Sequence, residues 1–245
     1  MSAKIRVAGL TKSFARNGDT LRVVDGIDFS VDDGEFVALV GPSGCGKTTI
    51  LHIMAGFMPP DSGQVVIDGA PVSEASPNRI LISQQGSVFP WLTVRRNLMF
   101  GLRDHPARAA ELADHYAGVV GLAGFEQSYP HELSGGMLRR VEMARALVVK
   151  PEILFMDEPL AALDALTSLQ IRFELQRILD KERHTCVLIT HDVEEAIHLA
   201  DRILVLSKRP ARIQATFDVE LQRPRDLASP EVARLKAAIL GELGL

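Results

Sequence analysis

Gly41-Pro42-Ser43-Gly44-Cys45-Gly46-Lys47-Thr48 fits G-x-x-x-x-G-K-[ST], a spacing whose chemistry is the cradling of a phosphate chain. Glu35-Phe36-Val37-Ala38-Leu39-Val40 reads as a buried strand ahead of it, and Thr49-Ile50-Leu51-His52-Ile53-Met54 as the start of a helix behind it. A strand, a glycine-rich loop and a helix N-terminus aim several backbone N–H groups and a positive dipole end at one point. Lys47 would reach the β- and γ-phosphates of a nucleotide there, and the Thr48 hydroxyl would bind Mg²⁺.

A second set of chemical groups lies downstream. Ile153-Leu154-Phe155-Met156-Asp157-Glu158 is four apolar residues followed by two carboxylates. A buried strand would deliver both acids to its carboxyl end, where open α/β sheets bind ligands. Beside a P-loop, Asp157 is expected to hold Mg²⁺ and Glu158 to polarise an attacking water; without one, the pair would read as a solvated acidic turn. Leu133-Ser134-Gly135-Gly136-Met137 precedes a helical run to Val149, and Ser134 can cap it. By itself this pentapeptide reads as an ordinary capped helix start ahead of a second anion-seeking helix N-terminus.

The remaining chain supplies the frame. Short apolar runs at Glu152–Met156, Cys186–Thr190 and Arg202–Leu206 alternate with helical stretches, the pattern of a mostly parallel sheet. Lys4–Phe14 and Val23–Val31 have β character, with Asn17-Gly18-Asp19 and Asp32-Asp33-Gly34 as turns. Pro59-Pro60-Asp61-Ser62-Gly63 is expected to close the P-loop helix, and Ile80–Ser83 to form a strand leading to Gln84. From Thr93 to about Leu122 the texture is helical, an all-helical insert. A helix from about Leu166 to Lys181 would bury Ile171, Leu175, Ile178 and Leu179, and Ser229-Pro230-Glu231 opens a tail helix. The fold expected is α/β: a P-loop NTPase core with a mostly parallel sheet, an N-terminal antiparallel β subdomain and the helical insert. Its 245 residues form one domain, with the core at about 1–84 and 150–215, the insert at about 92–149 and the tail at about 216–245.

A net charge of -4 argues against a general nucleic-acid binder. No apolar run approaches the length of a membrane span, and Met1–Arg6 has no apolar signal core. Cys45 and Cys186 make neither a metal spacing nor a disulfide framework, which suits a cytosolic, reduced chain. Cys45, at a helix N-terminus, is expected to alkylate readily and to be protected by ATP; Cys186 is expected to be inert.

The order of the P-loop, Leu133–Met137, then Leu154-Phe155-Met156-Asp157-Glu158-Pro159 followed by Leu163-Asp164, resembles the ATP-binding subunit of an ABC transporter over nearly the whole chain. The resemblance implies roles for matching positions. Phe14 would stack on adenine, where the family more often has Tyr. Gly41, Pro42, Ser43, Gly44, Cys45, Gly46, Lys47, Thr48 and Thr49 would hold ATP. Gln84, with Gln85 beside it, would touch Mg²⁺ or the water and sense a permease. Ser134, Gly135, Gly136 and Asp164 would meet the ATP of a partner subunit, and His191 would contact the γ-phosphate. Metal would sit on Thr48, Gln84 and Asp157, and catalysis would rest on Glu158, His191 and Lys47.

Phe89-Pro90-Trp91-Leu92-Thr93-Val94, Ala161–Thr167 and Arg202–Ile213 further resemble the import ATPases serving nitrate, sulfonate and taurine. Their Asp-Ala-Leu-Thr and Arg-Pro-x-Arg-Ile pieces are expected to lie away from ATP. The implied partners are a second ATPase subunit head-to-tail, a transmembrane permease and an extracytoplasmic solute-binding protein, with no nucleic acid, at the cytoplasmic face of the membrane. A short permease helix would seat near Phe89-Pro90-Trp91, with Trp91 either its anchor or a packing residue of the insert. A non-transport ATPase acting on nucleic acid, a pure ATP-binding module, and an exporter or lipid-trafficking ATPase are the other readings.

Overall fold

β-branched and aliphatic residues decide the two sheets. The computed structural model describes residues 3–16, 18–84, 86–102, 106–161, 163–182 and 184–245. Asn17, Gln85 and Ala162, used in the sequence reading, lie outside them. The chain opens with β1 (Ile5–Arg16), β2 (Asp19–Val31), β3 (Phe36–Val40), α1 (Lys47–Ala55), β4 (Ser62–Ile67), β5 (Ala70–Pro71) and β6 (Arg79–Ile82). Three helices follow: α2 (Val94–Met99), α3 (Pro106–Val119) and α4 (Gly135–Leu147). The chain then returns to the sheet through β7 (Ile153–Asp157), α5 (Ala165–Glu182), β8 (Thr185–Thr190), α6 (Val193–Leu199), β9 (Arg202–Leu206), β10 (Ile213–Asp218) and α7 (Pro230–Glu242).

One sheet has the order β2-β1-β4-β5 and is antiparallel throughout. The other runs β10-β9-β3-β8-β7-β6, parallel except for the edge strand β10. Every residue of β3, β7 and β8 is buried, as expected of strands covered on both faces. The pleat divides β3 between two cores. Val37 and Leu39 face α1 and the antiparallel sheet, with Ile5, Leu10, Val24, Ile50 and Met54. Phe36, Ala38 and Val40 share the other core with the helical unit and with α5, α6 and α7. Each such aliphatic side chain, fully buried, contributes roughly 1.5–3 kcal/mol of transfer free energy.

Particular contacts tie the parts together. Arg202 on β9 makes a fork to Glu35 at 2.8 and 3.0 Å and also donates to Ser30 O at 2.6 Å. Arg95 forks onto Asp114 at 2.7 Å in both arms, joining α2 to α3. The tail helix starts as its sequence demands: Ser229 accepts from Val232 N, Pro230 opens the first turn, and Val232 and Ile239 are buried.

One local expectation needs correction. α1 stops at Ala55, before Pro59, because Gly56 turns left-handed (φ 85) and its N–H closes onto helix carbonyls. The helical insert expected from Thr93 is present, as α2 and α3 with α4 behind them. The structure adds elements to those expected, α6 and β10 among them. α6 is only seven residues long, and β10 is an edge strand with alternating burial.

Candidate active site

Four strands of the parallel sheet end at one place. β3 leads into the P-loop, β6 to Gln84, β7 to Asp157 and Glu158, and β8 to His191. The loop climbs from buried Gly41 to Gly46, the N-cap of α1, at φ 128. A Cβ at Gly46 would lie 2.9 Å from Val23 Cγ1, so glycine is required by space as well as by dihedral. α2, α4, α6 and α7 are each capped by a side chain, from Thr93, Ser134, Asp192 and Ser229. α1 has no side-chain cap and no acid in its first turn, which suits an N-terminus completed by an external anion.

The charged groups of the loop are held ready. Lys47 is buried, and its Nζ donates to Gly41 O at 2.7 Å and Pro42 O at 3.1 Å. Asp157 is buried at the end of β7, and burial pushes its carboxyl pKa up, opposed by a hydrogen bond from Thr48. The next residue, Glu158, is a non-glycine at φ 46, a left-handed conformation that costs about 1–3 kcal/mol. That turn brings its carboxylate between two partners. Gln84 Nε2 donates to Oε2 at 3.3 Å, and His191 Nδ1 lies 3.3 Å from Oε1. Glu158 N is fixed in turn to Ile189 O at 2.9 Å.

Phe14, Ser43, Gly44, Gly46, Lys47, Thr48, Thr49, Gln84 and Glu158 all line one cleft of about 540 Å³. Phe14 is half-exposed at its side, with Lys12 Nζ 5.8 Å from the ring centroid. A second cleft, of about 610 Å³, opens between α5 and α6 and shares Glu158, adding Leu163, Arg172, His191 and Asp192. Glu158 therefore faces both.

Ser134, Gly135, Gly136 and Asp164 stand apart from the P-loop cleft. Ser134 Oγ accepts from Met137 N at 3.3 Å. A Cβ on Gly136 would come 2.6 Å from Thr167 Cγ2, and Thr167 N donates to Asp164 Oδ1 at 3.0 Å. The glycine pair and the Leu163-Asp164 turn thus form a second cluster around the start of α5.

Three sequence expectations change here. Cys45 is 2% exposed, its Sγ packed under Gly41, so the ready alkylation expected of it is not compatible with this arrangement. Trp91 is 69% exposed, its ring 5.5 Å from that of Phe89, so it is a surface aromatic and not part of the insert's core. Arg209, in the Arg-Pro-x-Arg-Ile piece expected to lie away from ATP, lines the cleft and donates twice to Gly44 O, from Nε at 3.0 Å and from Nη2. No local signal marks it; its partner is 165 residues away.

The ABC transporter family model matches residues 24–161. An uncharacterized ABC transporter ATP-binding protein of Methanocaldococcus jannaschii is 44% identical over 99% of this chain and 92% of its own length. The chain belongs to the ABC transporter family, as an ATP-binding subunit. An aliphatic sulfonates import ATP-binding protein of Bacillus cereus is 36% identical over 96% of this ABC subunit and 94% of its own length. Among solved structures, the ATP-binding cassette MJ0796, described as a dimer in a post-hydrolysis state with ADP and Pi, superposes at a TM-score of 0.78. It is 26% identical and covers 89% of this chain and 100% of its own. Among the described residues, no helix of this ABC subunit is long and apolar enough to cross a membrane.

Proposed function

We propose that this subunit hydrolyses ATP to energise uptake of a small solute of the nitrate, sulfonate or taurine kind through a separate membrane permease. The observation that carries the reading is the placement of Glu158 between Gln84 and His191, 3.3 Å from each, on the cleft that also holds Lys47 and Thr48. A carboxylate so held can orient a water toward a γ-phosphorus and draw off its proton as the bond to ADP breaks. His191 steadies Glu158 and the γ-phosphate, Lys47 neutralises the β- and γ-phosphates, and Phe14 offers a π-face to adenine.

Thr48, Gln84 and Asp157 would hold Mg²⁺, whose charge offsets that of the phosphates. The donors are hard oxygens, which fits that ion. Among the described residues no cluster of three His, Cys, Asp or Glu could hold a metal unaided, which suits an ion that leans on its substrate's phosphates.

Ser134, Gly135, Gly136 and Asp164 do not line the cleft that holds the P-loop. We therefore place them over the ATP of a second copy, head-to-tail, with the nucleotide joining the two. The domain limits are those read from the sequence, one cassette over 1–245. The permease would dock at the groove of about 260 Å³ lined by Phe89, Phe100, Arg145 and Val149, beside exposed Trp91. The subunit would thereby sit at the cytoplasmic face of the membrane, and import would add a solute-binding protein outside. The likeness to a sulfonate import protein supports the importer reading.

The test is purification of the Glu158→Gln subunit from native membranes with ATP, followed by mass spectrometry. Copurification of a permease and a solute-binding protein is the expected outcome. A permease alone would move the assignment to export or lipid transport, and no membrane protein at all would end the transport reading.

A further inference from the structure

α4 carries three polar residues at intervals of three, so they share one face: Arg139, Glu142 and Arg145. All three grip the segment around Gln84. Arg145 donates to Ser87 O and Ser87 Oγ, each at 2.6 Å. Glu142 Oε1 accepts from Ser87 N, and its Oε2 accepts from Arg139 Nη1. Arg139 reaches further. Its Nη1 donates to Ser83 O at 3.0 Å and its Nε donates to Pro159 O.

Ser83 immediately precedes Gln84, and Pro159 immediately follows Glu158. Gln84 and Glu158 are themselves 3.3 Å apart. The result is a closed ring: Arg139, Ser83, Gln84, Glu158, Pro159 and back to Arg139. One guanidinium from the helical unit spans the two backbone segments that carry the hydrolytic pair.

Stability does not explain it. Arg139 and Glu142 are 8% and 5% exposed, and a buried ion pair is often no more stable than an apolar pair of the same volume. Geometry does explain it. A planar fork can fix two carbonyls at a set separation, which an ammonium, a single point charge, cannot.

We infer that Arg139, supported by Glu142, is a positioning residue that sets the separation of Gln84 and Glu158, so that turnover depends on how α4 sits against the sheet. This deepens the proposed function and rests on Glu158 being the group that acts on water. Arg139 touches no reacting atom; it acts through Ser83 and Pro159. Any movement of the helical unit against the sheet then changes the Gln84–Glu158 spacing directly.

The experiment uses the purified full chain, with ATP affinity by fluorescent-nucleotide titration, kcat and KM for ATP hydrolysis, and thermal melting. Two variants are compared with the parent and with Glu158→Gln. Arg139→Lys keeps the charge opposite Glu142 but loses the fork. The double variant Arg139→Gln, Glu142→Gln removes both charges of the buried pair and leaves Arg145 on its two bonds to Ser87. Both should bind ATP within about twofold of the parent, while kcat falls tenfold or more, since small misplacements in an active site can cost about a hundredfold. A merely structural role would lower melting and affinity together with kcat. Parent-like kcat in both variants, with Glu158→Gln inactive, would overturn the inference and leave the proposed function standing. Full activity in Glu158→Gln would overturn the function itself.

Discussion

His198 and Glu195 sit one turn apart on α6 and are driven in opposite directions by the same burial. His198 is 0% exposed, and neither ring nitrogen has a hydrogen-bond partner among the described residues. Burial first, then Arg172, Arg225 and Arg223, push its pKa down from 6.5 to about 4. Glu195 is 3% exposed and pushed up from 4.5 to about 7, chiefly by burial, against the Thr190 hydrogen bond and the charge of Arg172. Between about pH 8 and pH 5 an unfolded histidine takes up a proton that folded His198 refuses. Stability then falls, by roughly 2 kcal/mol, as pH drops through the unfolded value. Over the same interval folded Glu195 takes up a proton that an unfolded carboxylate does not, and stability rises by roughly 2.5 kcal/mol. In the parent the two contributions nearly cancel.

Substitution should separate them. His198→Leu, measured against the parent, should be about 2 kcal/mol better off at pH 5 than at pH 8, and Glu195→Gln about 2.5 kcal/mol worse off. Taking differences from the parent removes the background from every other titrating group. Urea unfolding at both pH values, read by linear extrapolation, measures the four differences. If both variants track the parent to within about 0.5 kcal/mol across that range, burial is not what sets these two groups and the reasoning fails.

Arg209→Ala should weaken ATP binding by about three- to tenfold in fluorescent titration, since a charge-assisted contact is worth about 1 kcal/mol or more where the site is open; unchanged affinity would return Arg209 to a purely structural place beside Gly44. Cys45 should resist iodoacetamide in the folded subunit with or without ATP and react once urea is added, and complete labelling within minutes in native buffer would contradict its burial. Gly63→Ala forces a side chain at φ 78 onto the backbone of Gly9, so a loss of about 2–4 kcal/mol is expected in unfolding experiments, and a neutral result would mean the β1–β4 pairing yields there.

How legible this was depended on the range of the contact. The P-loop strand, loop and helix could be read because phosphate chemistry dictates residue types over eight consecutive positions. α7 could be read because its cap, its Pro230 and its stripe all agree. β10 carried a signal that went unused: Ile213, Ala215 and Phe217 alternate with polar residues, and their burial alternates too. α6, at seven residues, is too short for periodicity to mark, although Asp192 and the acids after it announce its start. The places of Phe14, Gln84 and His191 came from family resemblance, since a lone aromatic, amide or imidazole has no local signature. Arg139 and Arg209 stayed hidden because the contacts that place them at the site, to Ser83 and Pro159 and to Gly44, lie 56, 20 and 165 residues away. Cys45 differs from expectation because a helix N-terminus need not be open: its Sγ lies against Gly41 in the core that also holds Leu206.

The two glycines at the start of α4 look alike in sequence and differ in what holds them. Gly136 has a neighbour within the chain: a Cβ there meets the Thr167 methyl at 2.6 Å, so the Thr167 side chain must turn to admit it. Gly135 has nothing within 4 Å of the Cβ position, and it stands at the first helical position behind Ser134. Alanine at Gly135 should therefore leave the fold intact and favour the helix by about 0.5–1 kcal/mol. Nothing inside one subunit asks for glycine there; a phosphate approaching from a second subunit would, because only a bare backbone lets an anion close on the N–H groups of that first turn. Gly135→Ala should melt at or above the parent, bind ATP as the parent does, and lose tenfold or more in ATPase turnover, whereas Gly136→Ala should lose stability as well. Parent-like turnover in Gly135→Ala would mean that no phosphate comes to this helix, and the head-to-tail pairing would have to place its nucleotide elsewhere.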